Sequence, residues 1–535
     1  MNRRQRRLTS AALALTLAAA LAACAPGGQN GDTVTLPALV PLPASIAASG
    51  DAPFRLSADT TISGDPDAAA TLQALLQART GAGASTGPAG EAGIELAIAK
   101  GGAPESYTIA ASEASIAVTG ADAAGLFYGV QTLGQLIRPD GGDWVIPAVD
   151  IADAPRFAYR GVMLDVARHF QTVETITAYI DRAAGLKFNA LHLHLSDDQS
   201  WRLQLESRPL LTELSSSSSV GGDPGGFYTK ADYAEIVDYA AAHHMIVVPE
   251  FDMPSHTHAI TLAYPELMEE PVIDDHMREI AATHGGDLPV NGVDYDGMAV
   301  GFSSLKIRDE ATYDFVADVF GELAAMTPGP YLHFGGDESL ATSDEDFDDF
   351  VSRVSGIIED LGKTPVAWHE AGSAKDLASD TVGQYWGYVT PTDGMDDKAR
   401  AFAQVILSPA DAIYLDMKPT AESDLGLTWA NGPTSVERSY SWEPAAIIDG
   451  VDDSSILGVE APMWSETITN LDDIDAMAFP RIASAAEAAW SPATTESELR
   501  TWESFRERVG AMGPLWTSLG IGYLASDEIP WVTEQ

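Results

Sequence analysis

The stretch Tyr331-Leu332-His333-Phe334-Gly335-Gly336-Asp337-Glu338 begins as a short apolar strand and breaks at two glycines. It then presents two adjacent carboxylates. Successive side chains on a regular strand point to opposite faces. Asp337 and Glu338 therefore share one pocket only if the strand has already ended. Gly335-Gly336 provides that end, because glycine tolerates backbone angles that other residues avoid. Taken alone, the motif also suits a helix cap with Asp337 as the capping acid. The ends of the other strands decide between the two.

Upstream and downstream of this stretch the pattern repeats as strand, loop, helix. Strands are expected at 161–165, 190–195, 245–249, 331–334, 364–368, 382–385, 404–407 and 456–459. Helices are expected at 173–185, 231–243, 311–326 and 344–361. In the first, Ile176, Ile180 and Ala183 recur at helical spacing and form one apolar face. About eight such units in roughly 340 residues fit a (β/α)8 TIM barrel with long loop insertions, spanning 155–535. Ser215 to Ser219 and the following Gly-Gly-Asp-Pro-Gly-Gly form one such insertion.

Barrel active sites form at the C-terminal ends of the strands. Read in order, those ends carry Asp165, Arg168 and His169; Asp197, Asp198 and Gln199; Glu250, Asp252 and His256; and Asp337 and Glu338. Then come Trp368-His369-Glu370, Tyr385-Trp386, Tyr414-Leu415-Asp416 and Trp464-Ser465-Glu466. Acids and tryptophans on one rim suit a sugar. Aromatic faces cover the apolar C–H surface of the ring, and carboxylates accept its hydroxyl protons.

These segments resemble glycoside hydrolase family 20, the β-N-acetylhexosaminidases. The resemblance is carried by Arg160 to Phe170, His192-Leu193-His194-Leu195-Ser196-Asp197-Asp198-Gln199, Pro249 to His256 and His333 to Glu338. It continues through Trp368-His369-Glu370, Tyr414 to Lys418 and Glu460 to Glu466. It implies an exo-acting retaining enzyme, without a metal or cofactor, that removes terminal β-GlcNAc or β-GalNAc. In this family the 2-acetamido oxygen of the substrate is the nucleophile, in place of a second carboxylate. By resemblance, Glu338 is the general acid and base, Asp337 holds the acetamido N–H and Tyr414 donates to the acetamido oxygen. Trp368, Trp386 and Trp464 enclose the methyl group. Arg168, Asp416 and Glu466 bind ring hydroxyls, Trp429 stacks on the next sugar, and Asp197 and His256 orient Glu338.

Ahead of the barrel, residues 36–154 mix strands and helices. Helical spacing covers 68–77 and 121–136. Strand patterns cover 94–98, 107–109 and 115–118. This predicts a small supporting α+β domain with one sheet and two helices.

The N-terminus is distinct. Arg3, Arg4, Arg6 and Arg7 precede an apolar run from Ala11 to Ala23, and Cys24 is the only cysteine. This is the layout of an export signal. Leu21-Ala22-Ala23-Cys24 resembles the bacterial lipobox, which implies a signal over 1–24 and lipidation of Cys24. A Gly-, Asn- and Asp-containing tether over 25–35 would then join the membrane anchor to the folded part. The expected location is the outer side of the cytoplasmic membrane.

The chain has 535 residues, is 45% hydrophobic and carries a formal net charge of −48. That is ample for a large core. Such a surface repels nucleic acid and anionic lipid headgroups.

Three rival readings stand beside the first. His192 and His194 lie on one strand face, as metal ligands do in some hydrolase barrels. A non-catalytic sugar-binding lipoprotein would use the same fold. A disaccharide-releasing member of the same family would differ only in its loops.

Overall fold

The computed structural model describes residues 36–88, 93–392 and 394–533. Cys24, the export signal and the tether lie outside these residues.

Eight parallel strands close into a barrel. They are β1 (Tyr159–Asp165), β2 (Ala190–His194), β3 (Ile246–Glu250), β4 (Tyr331–His333), β5 (Thr364–Trp368), β6 (Val382–Tyr385), β7 (Gln404–Leu407) and β8 (Ile456–Ala461). β8 returns to pair with β1, placing Glu460 opposite Gly161. Each strand expected from the sequence is present, with ends displaced by no more than two residues.

Alternation along the strands stacks the barrel interior in layers. The lower layer is apolar: Tyr159, Ala190, Val248, Val366, Val382, Ile406 and Leu457. Above it lie His192, His194, Glu250, His333 and Glu460, all fully buried. An aromatic cluster with Met163, Trp368, Tyr414 and Trp464 sits at the C-terminal end. Strand register sets the ionic layer. Asp165 lies opposite His194, His194 opposite Glu250, and Glu250 opposite His333.

The early helices follow the expected rhythm: Val173–Gly185, Lys230–Ala242, Glu310–Met326 and Asp344–Asp360. Each has a side-chain cap at its N-terminus, from Thr172, Thr229, Asp309 and Ser343 respectively. The later units are abbreviated. β5 is followed by a single 3-10 turn, His369–Ser373, and the short helix Met395–Ala399 packs against it.

The small domain departs from expectation in its sheets. Its two helices are Pro66–Thr80 and Ala123–Gln135. The main sheet has seven strands, and a separate three-stranded antiparallel sheet joins Phe54–Leu56, Asp143–Ile146 and Arg138–Asp140. The second sheet depends on a hairpin turn at Gly141-Gly142, where both residues take positive φ (60° and 96°). That is the pattern two-residue hairpins favour. The strand entering the turn contains Pro139, which obscures it as a strand; proline is tolerated there because the strand is an edge.

A buried polar junction ties this domain to the barrel. Lys187 Nζ donates to Asp153 Oδ2 at 3.0 Å, and so does Trp490 Nε1 at 3.0 Å. Tyr107 donates to the same oxygen at 2.5 Å. Arg160 reaches Glu105 at 2.8 Å. Pairing compensates these charges across the contact between the two domains. Among the described residues no helix is long and apolar enough to cross a membrane.

Candidate active site

At the end of β4 the chain turns away through Gly335 (φ 73°) and Gly336 (φ 94°), and Glu338 itself takes a positive φ of 44°. Gly335 is required twice over. Its φ is left-handed, and a Cβ there would sit 1.7 Å from Asp252 Oδ1. Asp252 Oδ1 in turn accepts the Gly336 N–H at 3.0 Å. The turn is thus pinned by a carboxyl group at the end of β3. It delivers Asp337 and Glu338 to one side of a cavity of about 1050 Å³.

His256 connects the two acids. Its Nε2 lies 3.4 Å from Glu338 Oε2 and 3.7 Å from Asp337 Oδ2. Its Nδ1 lies 3.2 Å from Asp197 Oδ1. Asp197 Oδ2 is 2.7 Å from Arg168 Nη2 and accepts from His194 Nε2 at 2.9 Å. Burial alone would favour neutral Asp197, but Arg168 and His256 hold its carboxyl far below the usual carboxylate range. Burial alone would also favour neutral His256. Asp197, Asp252 and Asp337 outweigh it and push the imidazole well above its ordinary value. The result is an imidazolium flanked by carboxylates.

Asp337 and Asp252 form a close acid pair. Burial raises both, and each is also influenced by the other. Burial, reinforced by Asp337, pushes Asp252 well above the usual carboxylate range. Asp252 was legible in the sequence only as another acid at a strand end. The signal for its role is its position two residues after Glu250, opposite the glycine break.

The other wall of the cavity is aromatic. Tyr414 meets Trp429 edge-on with ring centroids 5.8 Å apart and lies 6.3 Å from Trp464. Trp386 meets Trp429 edge-on at 6.0 Å. Trp429 is 45% exposed, which suits it to the mouth of the site. Trp368 is fully buried, 5.9 Å from Trp464, and gives its indole N–H to Glu250 at 3.0 Å. It backs the wall from within the barrel.

Arg168 and Glu466 line the cavity. Burial, opposed by Arg168 and reinforced by Asp165, brings the Glu466 carboxyl up to about 7. Asp416 is buried, with Oδ1 accepting the Trp464 N–H at 3.4 Å and Oδ2 without a partner. A buried acceptor left open in this way is suited to a ligand hydroxyl. Residues expected as one site are therefore assembled around one cavity, with Asp197, His256, Trp368 and Asp416 behind its surface.

The cavity has one wall that the strand ends did not announce. The insertion between β3 and β4 carries the helix Asp275–His284 and contributes Ile280, Met298 and Val300. It has a small core of its own, Met277, Tyr295, Ala299 and Phe302. Ser303 anchors it by donating to Asp198 at 2.7 Å.

The proposed metal pair resolves differently. His192 Nδ1 donates to Glu460 Oε1 at 2.9 Å, and its Nε2 lies 3.2 Å from Glu250. His194 bridges Glu250 and Asp197. Burial opposes charge on both rings, but the carboxylates raise His192 to about 10 and His194 to about 9. The ring nitrogens of His192 and His194 are thus all within ion-pair reach of carboxylates. His192, Glu250 and His333 have their ligand atoms close together; His333 Nδ1 lies 2.9 Å from Glu250 Oε1, and burial pulls its imidazole below the ordinary value.

A barrel whose rim gathers paired acids and an aromatic wall is the framework of a glycoside hydrolase. The description "Glycosyl hydrolase family 20, catalytic domain" matches residues 157–493, and "Glycosyl hydrolase family 20, domain 2" matches 36–154. The chain belongs to glycosyl hydrolase family 20 and is a glycoside hydrolase. A β-N-acetylhexosaminidase of Cellulomonas fimi is 38% identical over 513 residues, covering 92% of this chain and 97% of that one. A solved family 20 β-N-acetylglucosaminidase is 68% identical with a TM-score of 0.85, covering 93% of this chain and all of that one (100%). A mutant Streptomyces plicatus β-hexosaminidase in complex with its product GlcNAc is 41% identical with a TM-score of 0.84, covering 93% of this chain and 99% of that one.

Proposed function

We propose that this hydrolase removes terminal, non-reducing β-GlcNAc or β-GalNAc by substrate-assisted catalysis with retention of configuration. The observation that carries this reading is the placement of Asp337 and Glu338 on one turn, bridged by one imidazole. Retaining enzymes with a protein nucleophile place two carboxylates about 5–5.5 Å apart across the scissile bond. Neighbours on a single turn are better suited to act from one side.

In the first step the acetamido oxygen attacks the anomeric carbon. The glycosidic C–O bond breaks, and Glu338 gives its proton to the leaving oxygen. Asp337 holds the acetamido N–H and balances positive charge on the oxazolinium ring. Tyr414 donates to the acetamido oxygen. In the second step Glu338 takes a proton from water, and the resulting oxygen nucleophile attacks the anomeric carbon. The oxazoline C–O bond breaks and the amide is restored. Two inversions give net retention. Arg168, Asp416 and Glu466 bind ring hydroxyls, and Trp386 and Trp464, backed by Trp368, enclose the acetamido methyl. Trp429 stacks on the next sugar.

We further propose that Cys24 is lipidated and that the enzyme acts on the outer side of the cytoplasmic membrane. The basic N-terminus, the apolar run and the lone cysteine support this.

Hydrolysis of aryl β-GlcNAc, β-GalNAc, β-glucoside and β-lacto-N-bioside, with the first-formed anomer followed by NMR, tests the catalytic reading. Release of the β-anomer from the two N-acetylhexosaminides, with the glucoside inert, is expected. Release of the α-anomer overturns retention. Preference for the lacto-N-bioside makes the enzyme a disaccharide-releasing one.

A further inference from the structure

The 3-10 turn after β5 holds a carboxyl group that the proposed chemistry does not use. Glu370 follows the strand by two residues, and its side chain is 19% exposed. Trp386 Nε1 lies 3.0 Å from both of its carboxyl oxygens. Its surroundings are specific. Asp337 acts on it from the turn after β4, and Lys398 acts on it from the helix Met395–Ala399. Tyr414 responds to it from beyond β7. His369 Nδ1 lies 3.4 Å from Glu370 Oε2. The His369 ring, 5.6 Å from that of Trp386, packs beside the same indole.

Glu370 thus bonds Trp386, one of the groups assigned to the acetamido side chain, and lies within the electrostatic influence of two others, Asp337 and Tyr414. Trp386 reaches the cavity surface. Its indole has one polar atom, and Glu370 takes it. An edge-on ring contact with Trp429 limits the opposite side. The indole is therefore set by one hydrogen-bond acceptor, Glu370, and two ring neighbours, His369 and Trp429.

We propose that Glu370 is a positioning residue that fixes Trp386 and so sets which N-acyl groups the enzyme accepts. This rests on the proposed substrate-assisted reading and extends it to acyl selectivity. A rigid indole leaves room for an acetyl methyl and excludes longer chains, because well-packed walls do not yield to one added methylene without strain. The acceptor is a neutral acid around pH 7: burial and the Asp337 charge push Glu370 up to about 8. The indole is consequently held with little buried negative charge placed beside Asp337. A glutamine has the same shape and a carbonyl acceptor, so it can do the same work. An alanine cannot.

The test compares kcat/KM for 4-nitrophenyl N-acetyl- and N-propionyl-β-glucosaminides in wild type, Glu370→Gln and Glu370→Ala at pH 6. Expected selectivity for acetyl over propionyl in Glu370→Gln is within about threefold of wild type. In Glu370→Ala it should fall by at least tenfold, with fluorescence of the tryptophans showing a more mobile indole. One methylene is worth about 10–200-fold in a fitted apolar pocket, which sets that scale. An unchanged acetyl-to-propionyl ratio in a folded Glu370→Ala enzyme overturns the proposal, as does a Gln variant that loses selectivity like Ala. If Glu370→Ala does not fold, Glu370→Leu, which keeps bulk without an acceptor, carries the same expectation. Wild-type enzyme that cleaves the β-glucoside as fast as the N-acetyl substrate overturns the substrate-assisted reading, a result distinct from loss of selectivity.

Discussion

His256 Nε2 lies 3.4 Å from Glu338 Oε2, and its other ring nitrogen lies 3.2 Å from Asp197. Glu338, the proposed general acid, is therefore linked to a buried, strongly anionic carboxylate through an imidazolium. His256 has its pKa raised in the folded protein. Its charged form is stabilised fully below the unfolded value of about 6.5, and that stabilisation is lost only as pH rises through the folded value. Asp197 has the opposite shift. Its contribution is present above the unfolded carboxylate value of about 3.9 and is lost as pH falls through the depressed folded value. Across the neutral range the pair stays ionised.

Asp197→Asn removes the largest charge that keeps His256 protonated. The imidazolium should then deprotonate at lower pH, leaving Asp337 without its balancing charge. The alkaline limb of kcat/KM is expected to move to lower pH, with activity lost at pH 8. An unmoved limb in a folded variant would show that His256 does not couple Asp197 to the acids.

Glu338→Gln keeps the shape of the side chain and removes its proton. Loss should be greatest for substrates with poor leaving groups, on the order of 10²–10⁴ for a positioned acid. An activated aryl group needs less help in the first step. Rates measured along a series of substituted phenyl glycosides check this. A parallel drop across the whole series would argue that Glu338 is not the donor.

Metal removal offers a direct contrast with the His192–His194 alternative. Those imidazoles are held protonated between Glu250, Glu460 and Asp197. Exhaustive dialysis against EDTA should leave kcat unchanged. Activity lost on chelation and restored by zinc would revive the metal-hydrolase reading through His192 and His194.

The barrel was legible because its strands are short apolar runs broken by glycine, acids or aromatics, and each break falls at the active rim. The same breaks announced Asp337, Glu338, Tyr414 and Trp464. Three features were hidden for physical reasons. The hairpin at Gly141-Gly142 is masked by a proline that only an edge strand tolerates. Asp252 and Glu370 look like ordinary polar residues, since their effect comes from a carboxyl or an indole supplied by a neighbouring strand. The wall at Met298 and Val300 belongs to an insertion whose small core has no strand rhythm. Trp368, expected with Trp386 and Trp464 around the acetamido methyl, is the last residue of β5 and gives its N–H to Glu250, a partner that only the closed barrel reveals.

The anchor can be tested independently of catalysis. Cys24→Ser removes the only thiol in the chain. It should release active enzyme into the medium or leave an unprocessed precursor, whereas wild type partitions with membranes. Two or more acyl chains hold a protein stably at a bilayer, while one is marginal. Detergent phase partitioning with labelled palmitate distinguishes these outcomes. Membrane association that persists in the variant would remove lipidation of Cys24 as its basis.

The nucleophile is the most consequential assignment, and Asp337 gives access to it. Asp337 sits beside Asp252, and its Oδ2 lies 3.7 Å from His256 Nε2, whose imidazolium balances its charge. That arrangement suits an anion meant to hold an amide N–H and a developing positive charge. It suits an attacking carboxylate poorly, because a nearby cation reduces nucleophilicity. Asp337→Asn should cost about 10²–10³ in kcat, the scale of losing one preorganised electrostatic contact. A trifluoroacetamido substrate has a weaker acyl oxygen and should slow wild type steeply. It should slow Asp337→Asn less, because orientation is already impaired. A thiazoline mimic of the bicyclic intermediate should bind wild type far more tightly than substrate and lose most of that advantage in the variant. Intact-mass analysis with a 2-fluoro sugar supplies the opposing result: a covalent adduct on Asp337 would make the protein the nucleophile and return Asp337 from orienting group to attacking group.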